Sequence, residues 1–190
     1  MAGLNGSLAH GNDNDYSDID FLIIAKPNRL YTARFFSHAI IQLTGWRRYG
    51  KKAIDRICLN CYLSTNHLDI SPKNPDSQFK VAQSNKYLIV FVDENKIADR
   101  FFAANQWFSH HATTGKDANH KLAKQLLRGR PPRRPYHILE HTLGGKFGDW
   151  FEQKMMVWQQ RRIDRGIHDG DETLATLDEI RLHPHKFNRP

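Results

Sequence analysis

The chain has 190 residues, 39% of them hydrophobic and 25% charged, and its 28 lysines and arginines against 20 aspartates and glutamates give a formal net charge of +8. That size suits one ordinary domain, and the longest apolar runs, Phe21 to Ala25 and Tyr87 to Val92, are far too short to cross a bilayer. With no basic-then-apolar leader, a cytoplasmic protein without a membrane partner is expected, and the positive balance favours anionic partners, nucleotides or nucleic acid, without choosing among them.

Met1 to Asn5 leaves room for only a very short first strand, so either that strand is short or the natural start lies upstream. Gly6-Ser7 then opens a polar stretch of turn formers that ends in Asp18-Ile19-Asp20 and the apolar run from Phe21 to Ala25, which reads as a buried strand. Residues i and i+2 of a strand share a face, so Asp18 and Asp20 project together while Ile19 points the other way. Two adjacent carboxylates repel unless a cation sits between them, which suits Mg²⁺ and its preference for oxygen ligands. The competing reading is a turn-and-cap pair ahead of a strand.

Lys26-Pro27 ends the strand, and Asn28 is the expected N-cap of a helix from Arg29 to Thr44. Leu30, Ala33, Phe36, Ile40 and Leu43 line one side of it, and Gly45 stops it. Arg29 and Arg34 are candidates for steering phosphates, against a solvated helix face as the default. A basic connector, with Arg47, Arg48, Lys51 and Lys52, leads to a second buried strand over Arg56 to Ser64 that Asn60 interrupts. Cys58 and Cys61 fall on opposite faces of that strand by alternation, so buried thiols are expected rather than zinc or redox chemistry. Ser77 to Gln83 reads as a short helix, Tyr87 to Val92 as a third strand, Asp93 through Trp107 as a helix, and Lys116 to Leu127 as another.

The run Arg128 to Pro135 is a basic, proline-rich hinge. Tyr136 to Arg165 then reads as one long amphipathic helix, with Leu139, Leu143, Phe147, Trp150, Phe151, Met155 and Trp158 along its apolar side and Gly144-Gly145 weakening it. Arg161, Arg162 and Arg165 form a further basic cluster. His137, Glu140 and His141 match a His-x-x-Glu-His zinc pattern but lack a third ligand in any recognisable motif, so a metalloprotease is set aside. The polar residues 166–190 are expected to form a loosely ordered tail.

Gly-Ser, ten residues, then Asp-hydrophobic-Asp-hydrophobic resembles the signature of the polymerase-β-like nucleotidyltransferase superfamily, in its minimal prokaryotic form. The runs Asn28 to Arg34, Cys58 to Ser64, Ala104 to Trp107 and Gly145 to Glu152 are similar to those of an uncharacterised branch of it. The resemblance implies an α/β (α+β) fold: a small mixed-sheet core over residues 1–95, a helical region over 96–165 with its hinge at 128–135, and a polar tail over 166–190. It implies that Gly6 lets the backbone approach phosphate, that Ser7 offers a hydroxyl and an amide to the triphosphate, and that Asp18 and Asp20 hold one or two Mg²⁺. The implied reaction transfers a nucleoside monophosphate from an NTP to a hydroxyl of a protein, an RNA or a small molecule, with pyrophosphate leaving. The superfamily's third carboxylate corresponds here to Asn60, whose amide oxygen can coordinate a metal or bond nearby backbone but carries no charge and is no base. The alternative expectation is therefore a catalytically weak or inactive nucleotide-binding module that acts through a protein or RNA partner, nucleic acid being reached through the basic clusters.

Overall fold

The computed structural model describes residues 1–10, 19–46, 57–72, 74–111, 141–166 and 172–183. The basic clusters at 47–52 and 128–134, the expected helix at 116–127, the hinge, His137 and Glu140 lie outside these residues. The fold is α+β. Strands β1 (Ala2–Asn5), β2 (Ile19–Ala25), β3 (Ile57–Ser64), β4 (Ile89–Val92), β5 (Glu172–Ala175) and β6 (Glu179–His183) form one sheet in the order β4-β1-β2-β3-β6-β5. The pair β2–β3 is parallel and the others are antiparallel. Helices α1 (Gly6–His10), α2 (Leu30–Leu43), α3 (Pro75–Asn85), α4 (Ile97–Ala104), α5 (Phe108–His111) and α6 (Lys146–Asp164) surround it.

Alternation along β2 and β3 serves two cores. Leu22, Ile24, Cys61 and Leu63 pack with Ala82, Ile97, Phe101 and Phe108 from α3, α4 and α5. On the other face Phe21, Ile23, Leu59 and Tyr62 pack with Leu30, Tyr31, Met155 and Ile163 from α2 and α6. The helix expected over 93–107 is shorter at both ends. Asp93 Oδ1 accepts from the backbone N–H groups of Ile97 (2.9 Å) and Ala98 (3.3 Å), and α4 stops at Asn105. The buried Asn105 side chain accepts from Ile70 N and donates to Leu68 O and Phe101 O, so it pins the 68–70 segment to the end of α4.

Three further expectations are corrected. The expected tail supplies β5 and β6: Ile180 and Leu182 face the α2–α6 core, while Glu179 pairs on the other side with Arg181 (2.5 Å) and His67 (3.3 Å). The segment read as polar because its charged positions satisfy one another. Asn28 is not the cap of α2; its backbone is left-handed at φ 56°, and the N-cap Arg29 makes no side-chain cap bond. The long C-terminal helix breaks at Gly144-Gly145, with Gly145 as N-cap of α6, and the expected apolar side is buried only in part, Phe151 and Met155 being half-buried. Gly148, Glu152, Gln159 and Ile163 are buried, whereas Phe147, Trp150 and Trp158 are exposed.

The physical reason lies at the start of α2. Leu30, Tyr31 and Thr32 are buried there, and the first N–H groups of a helix have no partner within it. The Glu152 carboxylate accepts from Tyr31 N (2.8 Å) and Thr32 N (2.7 Å). Gln159 donates to Tyr31 O (2.8 Å) and accepts from Arg34 (2.6 Å), and the Tyr31 hydroxyl donates to Thr176 O (2.8 Å) and accepts from Gln160 (3.1 Å). Arg29 donates to Leu143 O (2.7 Å) and pairs with Asp149 (2.8 Å). A methyl group on Gly148 would lie 1.9 Å from Leu143 O, so only glycine lets the preceding turn close onto α6.

Glu152→Ala leaves two buried donors unpaired and is expected to cost about 2–4 kcal/mol in urea unfolding, with Glu152→Gln, which keeps an acceptor, losing less than half of that. Gly148→Ala is expected to destabilise by at least about 2 kcal/mol in the same assay, because the clash is with backbone rather than a movable side chain.

Candidate functional site

The first residues after β1 and the first residues of β2 meet at one end of the sheet, because the two strands are antiparallel with Asn5 opposite Asp20. Gly6 follows directly, with φ at +75°, a conformation that a residue with a Cβ adopts only under strain. A Cβ there would stand 2.5 Å from Asp20 Oδ2 and 3.2 Å from Asp20 Cγ. The Asp20 carboxylate thus lies against the backbone of residue 6, and the glycine has two reasons to be one: its φ and this close approach. Ser7 is half-buried in the first turn of α1, which packs against α3 and β2.

Of the five residues singled out from sequence, the structure brings Gly6 and Asp20 together, with Ser7 next in the chain. Asp18 lies outside the described residues. Asn60 is on β3, the parallel neighbour of β2, and is half-buried. Asp20 registers with Cys58 and Leu22 with Cys61, so Asn60 lies in an irregular stretch where β3 carries one residue more than β2. That irregularity corrects the expectation for the cysteines, which both register with the Asp20–Leu22 side of β2. Arg29 and Arg34 do not form a solvated face: both are tied to the 143–159 region by the bonds given above, beyond the other end of β2 from Asp20. Among the described residues no group of three or more His, Cys, Asp or Glu side chains is gathered to hold a metal.

Two residues not singled out from sequence line the same end. Asn5 is buried, and its Nδ2 donates to Asn85 Oδ1 (3.2 Å); Asn85 Nδ2 in turn donates to Val81 O (2.9 Å), which sets the orientation of both amides. Among the described residues Asn5 Oδ1 is buried with no hydrogen-bond partner. The available signal was its position, an amide directly before Gly6-Ser7 on a strand whose other residues are small or apolar.

Cys61 sits on this face near Asp20, Glu179 and Arg181. Burial pushes its thiol up to about 12, with Arg181 acting against that shift and the two carboxylates adding to it. Both cysteines are free and buried. No protein-family model, no curated protein and no solved structure matches the chain.

Both thiols are therefore expected to resist Ellman's reagent at about pH 8 in the folded protein and to react together once urea unfolds it. Below pH 9.0 the Cys61 thiol is protonated in both states; between 9.0 and about 12 the unfolded chain alone loses the proton. Stability contributed by this group should fall across that window as pH rises, a fall that Cys61→Ala removes in alkaline unfolding titrations.

Proposed function

We propose that this chain is a Mg²⁺-dependent nucleotidyltransferase of the polymerase-β-like type, transferring a nucleoside monophosphate from an NTP to an acceptor hydroxyl. The observation that carries the reading is the Asp20 carboxylate lying against the left-handed Gly6 backbone at the β1–β2 end of the sheet. An NTP site needs a backbone that phosphate can approach and an anionic ligand for the accompanying cation, and these two features are adjacent here. The donor set fits a hard cation: the Asp20 carboxylate, Asp18 two residues before it in sequence, and the buried Asn5 Oδ1 that accepts no hydrogen bond. Bound Mg²⁺ supplies charge neutralisation at the phosphates.

In this reading Gly6 admits the triphosphate, Ser7 donates to it, and Asp18 and Asp20 hold the cation. The acceptor oxygen bonds to the α-phosphorus as the α–β bridging bond breaks. Pyrophosphate leaves with that electron pair, and the hydroxyl proton passes through the carboxylate pair to solvent. Asn60, on the strand beside Asp20, favours a second reading, a nucleotide-binding module with weak or no turnover, since an amide accepts no proton from the attacking hydroxyl.

Calorimetric titration with ATP is expected to show binding that requires Mg²⁺ and weakens at least tenfold in Asp20→Asn and in Gly6→Ala. An affinity indifferent to Mg²⁺ and to Asp20→Asn would overturn both readings. Transfer of α-labelled NMP to protein, RNA or small hydroxyl acceptors, abolished by Asp20→Asn, supports the transferase; Mg²⁺-dependent binding without label transfer leaves the module.

A further inference from the structure

Helix α6 docks on α2 through Glu152 and Gln159 together with Phe151, Met155 and Ile163, and what it turns outward is organised. At 100° per residue, Phe147, Trp150, Lys154, Trp158, Arg161 and the C-cap Arg165 fall on one stripe of the helix. Trp150 is 53% exposed and Trp158 47%. Lys154, Arg161, Arg162 and Arg165 are exposed beside them, and the Arg162 guanidinium lies 5.2 Å from the Trp158 ring centroid. The exposed carboxylates of α6, Asp149 and Asp164, lie off this stripe, Asp149 being paired with Arg29. Phe35 packs edge-on against Phe151 and Trp158, Phe36 stacks on Phe151, and Trp150 lies against Phe147.

Exposed rings in such a group mark an interaction surface. The charges choose the occupant. A second copy would bring to this stripe the same cations and no carboxylate to meet them, and the whole chain carries +8. The stripe sets three rings beside cations of one sign only, with no carboxylate among them, so a partner that offers flat rings together with negative charge fits it. That combination matches a strand of flat bases joined by phosphates, in which bases stack on rings and guanidinium planes while the phosphates meet the cations. Bases are free to do so only when unpaired, which is how RNA loops and ends present themselves.

We propose that the outward stripe of α6 binds single-stranded RNA. The stripe from Phe147 to Arg165 runs about 27 Å, enough for a site at the shorter end of the about 4–16 nucleotides seen in single-strand binders. Trp150 and Trp158 are the stacking platforms, and Lys154, Arg161, Arg162 and Arg165 neutralise phosphates. The proposal does not rest on nucleotide transfer, and its test contains no NTP.

The full chain is titrated into a 5′-fluorescein-labelled uridine oligomer of about 12 nucleotides, followed by anisotropy and tryptophan quenching across a salt series, with an RNA duplex as comparison. The expected result is saturable binding that quenches tryptophan, is at least about tenfold weaker for the duplex, and falls with salt at a logarithmic slope near −2 to −3, for about three or four phosphates. Trp150→Ala with Trp158→Ala should weaken binding at least about tenfold with the helical circular dichroism unchanged. Arg161→Glu with Arg162→Glu should weaken it and flatten the slope. The proposal is overturned if wild-type protein leaves the anisotropy unchanged, if the double tryptophan variant binds within about twofold of wild type, or if duplex and single strand bind alike. It is equally overturned if sedimentation shows a dimer that the tryptophan variant abolishes while the oligomer fails to bind.

Discussion

A helix whose first turn is buried must find acceptors for N–H groups that it cannot pair itself, and in this chain the start of α2 depends on a residue far along the sequence. Water does not reach Tyr31 and Thr32, and the local candidate, Asn28, has its backbone in a left-handed turn instead of a capping geometry. Glu152 provides both acceptors from α6, placing its carboxylate where the positive end of the α2 dipole also favours it. Because hydrogen bonds are directional, this fixes the rotation of α6 more tightly than apolar contact would. Gln159, two turns on, then meets Tyr31 O, and Arg34 meets Gln159. Tyr31 is consequently bound at its N–H, its carbonyl and its hydroxyl, the last reaching the β5–β6 turn. Three elements distant in sequence meet at one residue, and the far edge of the sheet follows from it.

The opposite end of β2 is arranged by different means. There the constraint is the close approach of a carboxylate to backbone, permitted by the missing Cβ of Gly6 and framed by the Asn5–Asn85 amide pair. The sheet gives that end parallel β3 on one side and antiparallel β1 on the other, so groups from three chain segments converge without a long loop among the described residues. Ile57 N donates to Trp46 O, which brings the segment after α2 to the same end. Helix α2 therefore connects the polar clamp with Glu152 to the sheet end that holds Asp20.

What was legible in the sequence was local. The runs that became β2 and β3 announce themselves because burial on both faces demands nearly continuous apolar residues, and the strand that begins at Ile19 does bring Asp20 against Gly6. The face of α6 was not legible, since periodicity records where apolar residues recur and not which stripe is buried. Here the buried stripe holds Glu152 and Gln159, and three of their four partners are backbone groups that no pattern displays. The C-terminal hairpin was hidden for a related reason: in five residues Ile180 and Leu182 are outnumbered by Glu179, Arg181 and His183, and only pairing with β3 reveals the alternation. The cysteine faces were misread because alternation was counted through Asn60, where the β2–β3 register steps.

The exposed rings of α6 acquire their meaning from this polar docking. Rotating α6 to bury Phe147, Trp150 and Trp158 would gain on the order of 1.5–3 kcal/mol for each large side chain covered. The same rotation would withdraw Glu152 and Gln159 from Tyr31 and Thr32, leaving buried donors and an acceptor unpaired at about 1–3 kcal/mol each, with the desolvated Arg34 added. The two sums are of the same order, so apolar burial alone does not select the observed face. Directional bonds at the start of α2 do, because they hold only one rotation while apolar contact tolerates many. The apolar stripe is left outside as their consequence, and its own order, rings interleaved with cations and free of carboxylates, is not a consequence of them. Residues turned outward only to satisfy α2 would need no such pattern, which is the reason to read the stripe as a binding surface in its own right.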